Sequence, residues 1–167
     1  MKIKTSTKTI INKEEAKLFL SKYGLYAEFW QPEKADPVIT DPLVKYENQI
    51  KKLKKKFGYA SADCCSLNSS NPNLDKMLEP FKKEHHHTDD EVRFTVEGEG
   101  IFGVNPLTDS PFEVYVEPGD LLVVPAMTRH WFELTDKKNI CCIRMFKENP
   151  KWEAVYEMTP KVSSRGA

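Results

Sequence analysis

The sequence predicts a mainly β protein, an antiparallel sandwich or barrel with a few helices ahead of it, and three observations carry that reading. From His85 to Phe146 the chain is a series of short β-rich runs: "EVRFTV", "IFGV", "FEVYV", "LLVVP", "HWFEL" and "ICCIRMF". Turn-forming "EGEG", "NPLTDSP", "EPGD" and "TDKKN" separate most of them, with almost no helical pattern between. The length, 167 residues with 40% hydrophobic side chains, suits one well-buried core and is too short for two. A single domain over 1–167 is expected, with a helical portion at about 12–58, a β core at about 61–147 and a C-terminal segment at 148–167.

The N-terminal "MKIKTSTKTIINKEEAKLFL" is charged and contains no apolar segment of signal-peptide length. No later run approaches a membrane span, so a cytoplasmic location without membrane contact is the expectation. "NKEEAKLFLSKYG" offers Asn12 as N-cap, Glu15 three residues on, an apolar stripe through Ala16, Phe19, Leu20 and Tyr23, and Gly24 as a stop. That pattern predicts a helix. "QPEKADPVITDPLV" has three prolines and reads as an irregular crossing, until Asp41 and Pro42 supply an N-cap and a first-turn proline. The helix they open carries Tyr46, Ile50, Leu53 and Phe57 on one face.

The lysines of "KKLKKK" lie on that helix's other face. An apolar stripe runs through the lysine run itself, which makes it the solvated side of an amphipathic helix. Twenty-five basic residues offset twenty-five acidic ones, so no net field recruits nucleic acid or an anionic membrane. A strand is expected around Asp63 to Leu67, followed by a short helix in "NPNLDKMLEPF", with Leu74, Met77, Leu78 and Phe81 at helical spacing and Pro80 near its end. After the β region, "NPKWEAVYEM" is expected to hold a short C-terminal helix and "KVSSRGA" a loose tail. The cysteines come as neighbours, Cys64 with Cys65 and Cys141 with Cys142, in strand-like stretches. Strand neighbours point to opposite faces, which is poor geometry for a mutual disulfide, so reduced thiols with one of each pair buried are expected.

Three of the four histidines stand together in "EHHHTDDEVRF". In a strand His85 and His87 share one face and His86 the other, so the HxH pair can take adjacent positions on one metal ion. "TDD" supplies turn residues, and Glu91 opens the next strand as a third candidate ligand, on the face of Arg93 and Thr95. Taken alone, that polar face could equally be solvated, with Val92, Phe94 and Val96 forming the core. The fourth histidine alters the balance: "GDLLVVPAMTRHWFEL" ends an apolar strand, turns, and presents His130 at the start of another.

"HHHTDDEVRFTVEGEG" resembles the first cupin motif, HxH, three residues, Glu, then six residues to Gly98; "GDLLVVPAMTRH" resembles the second, from Gly119 through Pro125 to His130. The resemblance implies a double-stranded β-helix, a jelly-roll barrel, with a metal site. A narrower resemblance, to the acireductone dioxygenase family of methionine salvage, runs through "FWQPE", "KFGY", "NPN", "FKKEHHHTDDEVRFTVEG", "VPAMTRHWFEL", "IRMF" and "NPKWEAVY". Thr95, His86 and Arg129 depart from residues common in that family, and none removes a ligand.

That resemblance implies one Fe(II) or Ni(II) per chain on His85, His87, Glu91 and His130. Three imidazoles and a carboxylate fill four positions of an octahedron, leaving two for a chelating enediolate. It further implies oxidation of 1,2-dihydroxy-3-keto-5-methylthiopentene by O2, giving formate and 4-methylthio-2-oxobutanoate with iron, or 3-methylthiopropionate, formate and CO with nickel. Arg93 and Arg144 match arginines that orient substrate oxygens, Asp90 a residue suited to proton transfer or ligand orientation, and Phe81, Phe132 and Trp152 aromatics around the methylthio tail. A monomer is expected. The competing readings are another metal cupin, an oxygenase or isomerase with different surroundings to the same ligands, a cupin that binds a metal or small molecule without catalysis, and a purely structural β domain whose histidines are incidental.

Overall fold

The computed structural model describes residues 1–33, 38–151 and 153–156. Asn12 is extended (φ −71°, ψ 127°), and its side-chain oxygen accepts the N–H groups of Glu14 and Glu15 at 3.0 Å, which starts helix α1 at Lys13–Ser21. Ala16 and Leu20 are buried, with Phe19 and Tyr23 packed beside them. The second helical stretch is broken where the sequence predicts one helix. Asp41 caps a single turn, α2 (Pro42–Lys45), and the chain restarts at Tyr46 into α3 (Glu47–Phe57). Tyr46 leaves the helical region at φ −105°, ψ 21°, while its ring is buried against Phe94. Ile50 and Leu53 of α3 are buried, and its lysines lie on the other side. Helix α4 (Leu74–Lys82) buries Leu74 and Leu78 and tolerates Pro80 two residues from its end.

Among the described residues twelve strands join these helices: β1 (Lys2–Lys4), β2 (Thr9–Ile10), β3 (Tyr26–Phe29), β4 (Ser61–Asn68), β5 (His86–His87), β6 (Glu91–Gly98), β7 (Gly100–Asn105), β8 (Phe112–Val116), β9 (Asp120–Val124), β10 (Arg129–Leu134), β11 (Asn139–Phe146) and β12 (Ala154–Val155). They make two five-stranded sheets, in the orders β10-β7-β8-β1-β2 and β3-β9-β6-β11-β4, plus the small pair β12-β5. Every strand pairing is antiparallel. The first three strands are absent from the sequence reading; β1 and β2, only three and two residues long, nevertheless bury Ile3 and Ile10 completely or nearly so.

One apolar core lies between the sheets, joining Ile3, Leu20, Phe102, Val114 and Leu122. A second lies on the far side of the sheet containing β6, where Val92, Phe94, Leu121 and Ile143 meet Tyr46, Ile50 and Leu53. Strand β6 is therefore covered on both faces. That is why Thr95, in a row that alternation alone would allow to face water, is fully buried. The two glycines of the cupin-like motifs are fixed by backbone. Gly98 has φ +75°, and a Cβ there would come within 2.1 Å of the Asn139 oxygen; Gly119 has φ +95°, with the Trp30 oxygen 2.6 Å from the same point.

At the C-terminal end, residues 153–156 contain strand β12 where the sequence predicts a short helix. A helix this short has little stability of its own, and β5 offers Ala154 and Val155 backbone partners in His87 and His86. Residues 157–167, the expected tail, lie outside the described residues.

Candidate metal centre

His85, at the end of the α4 loop, and His130, in β10, are forty-five residues apart yet exchange both backbone hydrogen bonds at 2.9 Å. That pairing brings the two ligand-bearing segments together. His87 sits in β5, its carbonyl accepting the N–H of Met127 from the turn before His130. Glu91 opens β6 opposite Val124. The result is one buried group: ligand atoms of His85, His87, Glu91 and His130 all lie within 4.8 Å of one another.

The tautomers are fixed by carbonyl oxygens, which only accept. Nδ1 of His85 lies 2.7 Å from the Lys83 oxygen, Nδ1 of His87 3.0 Å from that of Glu153, and Nδ1 of His130 2.8 Å from that of Thr128. Each Nδ1 must carry its proton, which leaves Nε2 as the inward ligand. The Glu91 Oε2 atom lies 2.9 Å from Nε2 of His130 and 3.2 Å from Nε2 of His87. Its Oε1 meets the Arg93 guanidinium at 3.0 Å. Burial alone would raise this carboxyl, but Arg93 and the two imidazoles hold it well below the usual carboxylate range. Burial lowers His85, favouring the neutral form that ligates. Burial also acts to lower His130, and the hydrogen bond and charge of Glu91 outweigh it, so His130 is raised. Three neutral-capable imidazoles and an ionised carboxylate, preset in orientation, are a donor set that fits a divalent transition metal.

The cluster opens into a cavity of about 230 Å³, a size for a small molecule. His85, Glu91 and His130 form its polar end together with Arg93 and Arg144. Arg144 is clamped by Asp63, through Nε to Oδ1 at 2.8 Å and a terminal nitrogen to Oδ2 at 2.6 Å, a bidentate pair between β11 and the edge strand β4. The remaining wall is largely apolar and includes Phe81, Phe132, Met77 and Leu67. The Phe81 ring stands 6.1 Å from that of His85, and Phe132 packs 4.9 Å from Phe102.

Of the sequence candidates, Asp90 is turned elsewhere. Its Oδ1 accepts the Ala126 N–H, its Oδ2 accepts the Tyr59 hydroxyl, and Lys147 stands 3.4 Å away. In this position it braces the turn that leads to His130, and it is not among the residues lining the cavity. Trp152 lies outside the described residues. The described residues near it hold to neighbouring segments: Lys151 N–H donates to Asp89, Thr88 donates to the Lys151 oxygen, and the Tyr156 ring, 5.7 Å from that of His85, bonds through its hydroxyl to the Pro80 carbonyl. Sequence reasoning missed Asp63, whose signal was an acidic residue in an expected strand, and the three orienting carbonyls, which have no side-chain signal. His86 is buried beside Val155, and Arg129 reaches Glu84 at 3.5 Å.

The model of the ARD/ARD' family matches residues 5–154. An acireductone dioxygenase of Sulfurihydrogenibium is 42% identical over 169 residues, covering 95% of this chain and 94% of the relative. One from Bacillus subtilis is 39% identical, covering 89% and 90%. Among solved structures, the acireductone dioxygenase of Bacillus anthracis with a cadmium ion in its active centre superposes with a TM-score of 0.85 at 37% identity, covering 93% of this chain and 97% of that one.

Proposed function

The chain belongs to the ARD/ARD' family, and from that premise we propose that it is a metal-dependent dioxygenase that cleaves an acireductone with O2. The observation that carries the reading is the convergence of three carbonyl-oriented imidazoles and Glu91 into one group, of which His85, His130 and Glu91 line the polar end of a cavity that also holds two guanidiniums. A single Fe(II) or Ni(II) would be held by His85, His87, Glu91 and His130 and would supply the positive charge that favours the deprotonated, bidentate enediolate on which O2 acts. The residues do the rest. Arg93, beside Glu91, and Arg144, held by Asp63, stand where substrate oxygens would carry negative charge, and both are positioned before substrate arrives. Met77, Phe81, Leu67 and Phe132 offer the thioether tail an apolar wall with two aromatic rings. Asp90 acts through the turn it braces, keeping Thr128 and His130 in place. Trp152 is assigned to the thioether tail as a third aromatic group, by its match to the family's aromatics.

Iron is assigned the formate and keto-acid products, nickel the 3-methylthiopropionate, formate and CO products. The substrate and O2 are the only partners in this reading, which places the enzyme in the cytoplasm as a monomer without nucleic acid or membrane. No helix among the described residues is long and apolar enough to cross a membrane.

The test is to strip the protein, reload separate anaerobic samples with Fe(II) and Ni(II), and follow oxygen uptake and products with synthetic acireductone. Keto acid from the iron sample and CO from the nickel sample, above a metal-free control, are expected. Absence of turnover in samples with confirmed metal loading would overturn the reading in favour of a different substrate or of binding alone.

A further inference from the structure

Outside the metal centre, the closest unexplained chemistry is a pair of thiols. Cys64 in β4 and Cys141 in β11 are 77 residues apart, and their sulfurs lie 3.3 Å from each other. They are diagonal across the sheet: Cys64 stands opposite Ile143, and Cys141 opposite Ser66. A register shift between Cys141 and Cys142 against β6 distorts β11 at this point. Among the described residues β4 is the edge of its sheet, with β11 as its one neighbour there, and Cys64 is exposed. Cys65 and Cys142 instead line the cavity, Cys142 being buried.

We propose that Cys64 and Cys141 are a redox-active dithiol, which a low-molecular-weight disulfide oxidises to an intrachain cystine. A disulfide needs a sulfur separation of about 2.0 Å, so the pair must close by roughly 1.3 Å, and because diagonal neighbours in a sheet stand roughly 7–8 Å apart, closure takes a backbone shift of the edge strand β4 as well as side-chain rotation. One thiol of the pair loses its proton to water, and its thiolate attacks one sulfur of the small disulfide, forming a mixed disulfide and expelling one thiolate. The other thiol, 3.3 Å away, passes its proton to that thiolate and attacks the protein sulfur of the mixed disulfide, expelling a second thiolate that takes a proton from water. Two electrons leave the protein, one small disulfide becomes two thiols, and one protein cystine forms.

The position gives the modification a consequence. Cys64 follows Asp63 directly, and Cys141 precedes Arg144 by three residues, so the cystine ties β4 to β11 beside the ion pair that holds Arg144 at the cavity. Oxidation stiffens that edge without touching a metal ligand.

The test uses full-length, metal-loaded protein equilibrated anaerobically in buffers of reduced and oxidised glutathione, then acid-quenched, alkylated and mapped by mass spectrometry. Two of the four thiols should disappear in one two-electron step, with a single peptide link between Cys64 and Cys141. The thermal midpoint should rise by several degrees, as expected for a link closing a long loop, with unchanged metal content. In Cys64→Ser and in Cys141→Ser the link should vanish and leave glutathione on the remaining thiol of the pair. A link joining Cys65 and Cys142, links between chains, stable glutathione adducts without a Cys64–Cys141 link in the unsubstituted protein, or four unreacted thiols at excess glutathione disulfide would each overturn the proposal.

Discussion

Each imidazole of the metal centre is turned by a backbone oxygen, from Lys83, Glu153 or Thr128, before any ion arrives. The histidines themselves were legible because an HxH pair and a lone histidine after a strand are side-chain patterns; the carbonyls were not, since any residue supplies one. His130→Ala removes a ligand whose partners stay buried, and we expect metal affinity to fall by at least about 100-fold and turnover to disappear, read by metal analysis after dialysis and by oxygen uptake. Asp63→Asn acts differently. It removes the charge that pairs with Arg144 while leaving all four ligands in place, so the Michaelis constant should rise by about tenfold with metal content unchanged. Equal loss of metal in both variants would mean that Asp63 supports the fold and not the guanidinium.

Among the elements, the short strand β12 bears directly on one of the candidate ligands. It is two residues long, pairs with β5, and brings the Glu153 oxygen to His87. Ending the chain after Pro150 should leave the barrel folded and lower metal affinity by about 10–100-fold, the usual cost of losing an orienting partner, measured by competition with a chelator. Unchanged affinity would assign β12 a purely covering role. The hairpin between β6 and β7 makes a sharper demand. A Cβ at Gly98 would collide with the Asn139 backbone in a left-handed conformation, so Gly98→Ala should destabilise by about 2–4 kcal/mol in denaturant titration. The Asn12 cap and both amphipathic stripes were legible because they are local. The break at Tyr46 was not: its ring is drawn into the second core by Phe94, a residue far along the chain.

For the whole molecule, protons and metal compete for one buried site. With no ion between them, Glu91 raises His130, so the ion-free protein favours a proton on Nε2 at the position a metal would take. The sign follows from linkage. A raised histidine stabilises the ion-free fold below its unfolded value of about 6.5, and that contribution is lost as pH rises through the folded value. Metal binding must expel the proton, so the rise in thermal midpoint on adding metal should grow from about pH 5.5 to pH 8. Calorimetry in buffers of different ionisation heat should show protons released on binding below neutral pH and fewer above it. A pH-independent metal shift would mean that His130 is already neutral.

The sequence by itself determined the β class, the capped first helix, the two motif glycines and the residue types of the metal centre, because each is written in a local period or a short spacing. Only the tertiary structure decided that β1 and β2 complete a sheet, that the C-terminal segment pairs as a strand, that Asp63 holds Arg144, and that Cys64 meets Cys141. The physical reason is sheet register. Which side chains become neighbours across β4 and β11, some eighty residues apart, depends on how every strand in the sheet aligns to bury its apolar face, and no short window of sequence contains that alignment.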